Sequence, residues 1–541
     1  MYADIIFING EVITVDGNES VQEAVAVKDN QIVGVGKTVE MNGWIGEETR
    51  VIDLDGKSLL PGFIDAHSHL TIFGTNLLGI NCQDSHIQSL QDLYAELKKK
   101  VDQTPVGEWV RVTGFNEHTM MERRFPSKQE LDAISTEHPI VIIRVCNHTS
   151  IANSRALESV GFTKESKDPE GGKIERNSNG ELTGKVLESA HMQLFNEADY
   201  SDKEIEEGFK LASDTFVKAG ITSVHDAGSY GWGPNVLHLM KKSIGSGDVK
   251  VRVYAIVGSL TDSKAFIRSM IDDEAVTGDG DEWFKIGPAK LFTDGSSTGP
   301  TLATRKPYDS NPSDCGILYY SQKEINEMLG EAHEKGYQIT AHAQGDRAIE
   351  MLLNCIENVL KKHPRKDHRH RIEHAGIASP DLQERMKELG VVAIPNPAFV
   401  YVNGDSYIHN YGDRVNVMYP AKDYLEKEIP FAFASDTPVI THSPLLGIHA
   451  AVNRKTSTGQ DIGANQKITV QEAIKAYTYM GAYASFEEQR KGSIEVGKLA
   501  DLVVLNESIL AVELESLKDL SVELTMIDGK IKYEKLYINV K

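Results

Sequence analysis

Between Phe63 and Ser435 the sequence repeats one alternation: a short apolar run, a helical pattern, and another apolar run. The runs end near His67, His225, Tyr254, Lys290, His342, His374, Pro395 and Ser435. Stretches such as Val391-Val392-Ala393-Ile394 carry the β-branched residues that suit a buried strand. Helical spacing fills most of the gaps, as over 322–335, 348–361 and 380–389. Strands that alternate with helices predict parallel pairing through crossovers, and eight such units predict an α/β fold of the (β/α)8 TIM-barrel type.

Both ends of the chain read differently. Ile5 to Ile8 runs into Asn9-Gly10, Val12 to Val15 into Asp16-Gly17, and Ala24 to Val27 into Asp29-Asn30, which predicts hairpins in a small antiparallel sheet. Near the far end, Leu502 to Leu505, Val522 to Met526 and Lys530 to Tyr533 read as strands around Asp528-Gly529. Neither piece is large enough for its own core. We therefore expect one discontinuous β-sandwich from residues 1–60 and 491–541, and a barrel over 61–490. The stretch from about 75 to 200 exceeds one crossover and predicts an insertion after the first barrel strand, beside the barrel mouth. It contains a helix over 90–101, strands over 109–112 and 140–145, and a charged, glycine-rich loop over 167–184.

Charge and cysteine usage narrow the function. Lys+Arg 57 against Asp+Glu 79 gives −22, a field that repels nucleic acid and anionic lipid and leaves a small molecule as the expected partner. The four cysteines are scattered with no C-x-x-C pair, which suits a reducing compartment and argues against a cysteine-built zinc site. No basic leader precedes an apolar segment, and no run reaches the roughly 18–20 apolar residues of a membrane span. A cytoplasmic protein is expected. There is no phosphate-binding G-x-x-x-x-G-K-[ST].

Chemistry concentrates at the strand ends. His67 and His69 stand two apart in Phe63-Ile64-Asp65-Ala66-His67-Ser68-His69, so strand alternation points both imidazoles one way, as a zinc-like divalent ion requires. His342, His374 and Asp436 close other strands at the end where such barrels build their sites. Lys290 ends a buried strand, where an amine is costly unless paired or modified. A salt bridge and reaction with CO2 to a metal-bridging carbamate both answer that cost. Together these residues predict a metal centre.

Leu60-Pro61-Gly62-Phe63-Ile64-Asp65-Ala66-His67-Ser68-His69 resembles the first-strand motif of the amidohydrolase superfamily, and Gly492 to Leu502 resembles its return into the β-sandwich. Within it the chain is similar to the family 3 branch through Gly114-Phe115-Asn116, Arg144 to Leu157, Lys290 to Ser296, His342-Ala343-Gln344-Gly345-Asp346-Arg347-Ala348, Arg371-Ile372-Glu373-His374-Ala375 and Ser435-Asp436-Thr437-Pro438. The resemblance implies a metal-dependent hydrolase of non-peptide C–N bonds, with N-formyl or N-acyl amines as substrates by analogy, and it allows a homodimer. It implies that His67 and His69 hold one zinc, His342 and His374 a second, carboxylated Lys290 bridges them, and Asp436 is both ligand and proton carrier for attack by metal-activated hydroxide. It sets His148 near the site mouth, where it either hydrogen-bonds the scissile carbonyl or caps a loop. His225 and Asp294 are further candidates for the substrate pocket, with packing behind the ligands as the alternative for His225. Two rivals use the same scaffold: a mononuclear deaminase of an aminated heterocycle, and a non-catalytic assembly or regulatory protein. The first wants a glutamate shortly after the fifth-strand histidine, where this chain has Ala343-Gln344-Gly345-Asp346.

Overall fold

The computed structural model describes residues 2–82, 86–144, 149–228, 233–259 and 262–535. It resolves into two compact units, Met1–Ile72 with Ser213–Lys541, and Phe73–Ala212.

The first unit contains a seven-stranded, all-parallel sheet in chain order: β1 (Phe63–Ser68), β2 (Ile221–Asp226), β3 (Arg252–Val257), β4 (Phe284–Phe292), β5 (Ile339–Ala343), β6 (Arg371–His374) and β7 (Val392–Ile394). Helices such as Gln322–Glu334, Asp346–Lys362 and Pro380–Leu389 return the chain between strands. Their apolar faces explain why they form: along Asp346–Lys362, residues Ile349, Leu352, Leu353, Ile356 and Val359 recur at helical spacing and are all buried. Ser321 and Glu324 cap Gln322–Glu334 reciprocally.

The barrel is closed by an irregular eighth stave, residues 430–436. On one side Ala393 N donates to Pro430 O at 2.9 Å and Ala432 N to Ala393 O at 3.0 Å. On the other, Ala66 N donates to Phe433 O at 3.2 Å and Asp436 N to His67 O at 2.8 Å. The barrel expectation therefore holds, with its last member an extended segment rather than a regular strand.

The terminal strands form two sheets. One orders Gln31–Gly36, Ala24–Lys28, Ile5–Ile8 and Arg50–Asp53; the other orders Lys530–Glu534, Val522–Ile527, Leu502–Leu505, Ser58–Pro61, Glu11–Ile13 and Val21–Gln22. Phe7, Val12, Val25, Leu59, Leu502 and Met526 share one core. The Asn9-Gly10 hairpin expected from sequence does not form. The turn is there, with Asn9 at φ 54°, but it passes the chain from one sheet to the other. Ile5–Ile8 pairs with Ala24–Lys28 and Arg50–Asp53, and Glu11–Ile13 with Val21–Gln22 and Ser58–Pro61.

The second unit is a six-stranded mixed sheet with helix Leu90–Gln103 among its elements. Where a loop was expected over 167–184, Gly172–Arg176 and Leu182–Glu188 pair antiparallel. Ile174, Leu182 and Val186 are buried among charged neighbours that face outward, so alternation outweighs the polar composition.

Candidate metal centre

Strand alternation and two left-handed residues bring the polar groups inward. On β1, His67 is fully buried, with Asp65 two residues before it and His69 two after. On β6 the alternation that turns Arg371 inward also turns Glu373 inward. His374, one residue further, reaches the same space at φ 70°. Asp436, just past the closing stave, has φ 63°.

His67, His69 and Asp436 each offer a donor atom, and the three atoms lie within 4.8 Å of one another. Asp436 Oδ1 is 3.4 Å from His67 Nε2 and 3.3 Å from His69 Nε2. His374 continues from this set, its ring 4.7 Å from that of His67, and His342 follows 4.5 Å from His374. Neither joins the tight three-donor group. Lys290 is fully buried, its Nζ 3.2 Å from His67 Nε2 and 3.3 Å from the Ala227 carbonyl. Among the described residues no carboxylate pairs with it, and burial lowers its pKa to about 8 against the pull of Glu373 and Asp436.

Each histidine spends one ring nitrogen on an outer acceptor. His67 Nδ1 donates to the Glu373 carboxylate. His69 Nδ1 donates to Gly228 O at 3.0 Å, His374 Nδ1 to Asn396 Oδ1 at 2.7 Å, and His342 Nε2 to Gly295 O at 3.1 Å. These bonds set the tautomers and leave one bare nitrogen on each ring. Burial is the main force holding His67, His342 and His374 below the usual imidazole pKa, so they stay neutral. Burial alone would raise Asp436; what holds its carboxyl below the usual range is positive charge at the His374, His69 and His67 cluster, which neutral rings do not carry and a cation between them would supply. Two bare nitrogens and an ionised carboxylate aimed at one point repel one another unless a cation lies between them. The donor set therefore fits a divalent metal.

The remaining expected residues fall elsewhere. His225 lies beside the donors' supporting groups rather than among the donors: its Nδ1 accepts from Arg371 at 2.9 Å and its ring packs edge-on to Tyr254. Asp294 accepts from the amides of Ala303 at 2.9 Å, Gln344 at 3.0 Å and Gly345 at 2.8 Å, so its carboxylate shapes loops instead of facing a pocket. It still approaches His342 Nε2 at 3.5 Å, and burial raises its pKa to about 7 against those amides. His148 lies outside the described residues.

Sequence reading missed Glu373 and Arg371. Glu373 receives His67, Thr340 Oγ1 at 2.7 Å and the Arg371 guanidinium at 2.8 and 2.9 Å. Arg371 also donates to Ala66 O at 2.7 Å. This buried ion pair ties β1, β2, β5 and β6 together. The available signal was a pair of opposite charges two apart in a four-residue strand, which alternation puts on one face.

The chain belongs to the amidohydrolase family, whose sequence profile matches residues 50–533. Over 541 residues it is 29% identical to N-substituted formamide deformylase of Arthrobacter pascens, covering 98% of each chain. It is 30% identical to the amidohydrolase YtcJ of Bacillus subtilis (strain 168), over 95% of this chain and 96% of that one. The crystal structure of an uncharacterized metal-dependent hydrolase from Pyrococcus horikoshii OT3 shares the fold, with a TM-score of 0.77 at 24% identity over 94% of this chain and 99% of that one. The family makes this chain a metal-dependent hydrolase. Among the described residues no helix is long and apolar enough to cross a membrane.

Proposed function

We propose that this hydrolase cleaves a non-peptide, amide-type C–N bond in an N-formyl or N-acyl amine, using two zinc ions held by His67, His69, His342, His374, Asp436 and carboxylated Lys290. The observation that carries the reading is the convergence of His67, His69 and Asp436 on one point, with the buried Lys290 amine 3.2 Å from His67 and no carboxylate paired with it among the described residues. The name of the Arthrobacter pascens relative supports the substrate class.

A divalent ion held there would polarise a carbonyl and acidify a water molecule. Lys290 would hold the metal as a carbamate: its neutral amine would add to CO2, forming an N–C bond and releasing a proton to solvent, which would leave an anionic ligand. Burial favours this by keeping an appreciable share of the amine unprotonated near neutral pH. Asp436, held ionised, accepts a proton from the attacking water and returns it to the departing nitrogen. His67, His69 and His374 keep their bare nitrogens inward because Glu373, Gly228 and Asn396 take the opposite N–H groups.

The test pairs metal analysis of protein purified without chelator with a screen against N-substituted formamides, acyl amines, cyclic amides and aminated heterocycles. Two zinc ions per chain and turnover of a formamide or acyl amine are expected. One ion per chain with ammonia released from a heterocycle would replace this reading with deamination.

A further inference from the structure

Asp436 sits in the left-handed region of backbone space at φ 63°, unfavourable for a residue with a side chain though less so for aspartate than for most. Such a conformation persists where its surroundings over-determine it. Here β1 grips the turn on both sides, since Asp436 N donates to His67 O at 2.8 Å and His69 N donates to Thr437 O at 2.8 Å. The residue before Asp436 is gripped by a side chain. Asp65 Oδ1 accepts from Ser435 N at 2.9 Å and Asp65 Oδ2 from Ser435 Oγ at 2.5 Å. Ser435 Oγ in turn accepts from Thr437 N at 3.0 Å, and Asp65 Oδ1 also takes His67 N at 3.3 Å.

A carboxylate is an expensive choice for this task. Asp65 is only 1% exposed, its hydrogen-bond donors His67 N, Ser435 N and Ser435 Oγ are all uncharged, and among the described residues no cation pairs with it. Packing alone is met more cheaply by an apolar or amide side chain. What the carboxylate alone supplies is acceptors on both oxygens, so one group holds the strand bearing His67 and His69 and the turn bearing Asp436.

We propose that Asp65 is a positioning residue: through Ser435 it clasps the turn at Asp436 to β1, so that the Asp436 carboxylate meets His67 and His69 at metal-binding distance. The proposal rests on the metal-centre reading above.

The test uses Co2+ alone as probe, on the full chain and on Ser435→Ala and Asp65→Asn. Ser435→Ala deletes one hydroxyl and leaves the fold's apolar contacts in place, so it remains informative if Asp65→Asn is poorly folded. The expected result is a Co2+ Kd raised about 10-fold in Ser435→Ala, in the range typical of lost outer-shell contacts. A displaced visible Co2+ absorption band should accompany it, in a metal-free chain that still unfolds cooperatively but at a somewhat lower temperature, because the buried Asp65 Oδ2 and Thr437 N each lose the Ser435 hydroxyl. Wild-type Co2+ affinity and spectrum in Ser435→Ala would overturn the clasp while leaving the metal centre standing. A wild-type chain that takes up no Co2+ would remove the metal centre, and the clasp with it.

Discussion

Behind His67 stands Glu373, a fully buried carboxylate that also balances the buried guanidinium of Arg371. Replacing it should therefore act on two quantities at once. In Glu373→Gln, metal affinity is expected to fall roughly 10–100-fold because His67 loses its anionic partner. Stability is expected to fall by about 3–5 kcal/mol because Arg371 is left buried without its counter-charge. Competition with a chelator measures the first and urea denaturation the second; a loss of stability with metal affinity intact would confine Glu373 to structural duty. Asp436→Asn should lose nearly all turnover even when saturated with metal, and near-wild-type activity of the metal-saturated variant would remove Asp436 from proton transfer. At this scale the convergence of His67, His69 and Asp436 was legible because they stand at the ends of apolar runs. Arg371 and Glu373 were not: charged residues read as solvated until the fold shows which face they share. For His225 the sequence left both a pocket role and packing behind the ligands open, and for Asp294 it gave only the pocket, because the partners that decide, Arg371 for the one and the Gln344 and Gly345 amides for the other, come from distant segments.

At the scale of elements, the eight apolar runs were legible, while the pairing of the terminal strands was not. Asn9-Gly10 is a sound turn signal, but a turn does not say which sheet the next strand joins. The loop between β5 and its helix shows how little room the supporting elements leave. A Cβ on Gly345 would lie 1.8 Å from the Ala303 carbonyl oxygen, a backbone atom that cannot swing aside. Gly345 N also donates to Asp294 at 2.8 Å. Gly345→Ala is expected to cost about 1–3 kcal/mol through forced backbone movement. It should also weaken metal retention by shifting Asp294 away from His342. A thermal melt with the substitution neutral would show that this loop is looser than its contacts imply.

For the molecule as a whole, the barrel's far end is held by charge. Glu487, buried, pairs with Lys285 at 2.7 Å and Lys491 at 2.8 Å. Burial opposes its ionisation, but the two lysines prevail and lower its pKa to about 2. A carboxyl whose folded pKa lies below its unfolded one stabilises the fold above the unfolded value, and that contribution is lost as pH falls toward the folded value. The affected window runs from about 4.5 down to about 2 and amounts to a few kcal/mol. Glu487→Gln should therefore lower stability at neutral pH and flatten its decline between pH 4.5 and 3, read as urea midpoints; an unaltered acid slope would mean that other carboxylates carry it. Arg252 links β3 to the C-terminal strands in the same manner, through Asp501 at 2.7 and 3.0 Å. Glu487 and Lys491 stand four apart, a spacing the sequence shows, but Lys285–Glu487 and Arg252–Asp501 have no local signature because their partners lie 202 and 249 residues away.

The most direct test of the central claim is anomalous diffraction at the zinc edge from crystals of the zinc-replete protein. We predict two peaks, one bounded by His67, His69 and Asp436, the other by His342 and His374, each about 2.0–2.2 Å from its nitrogen or oxygen donors, with density joining them to Lys290. No peak in zinc-replete crystals, with these imidazoles turned toward unrelated partners, would contradict it.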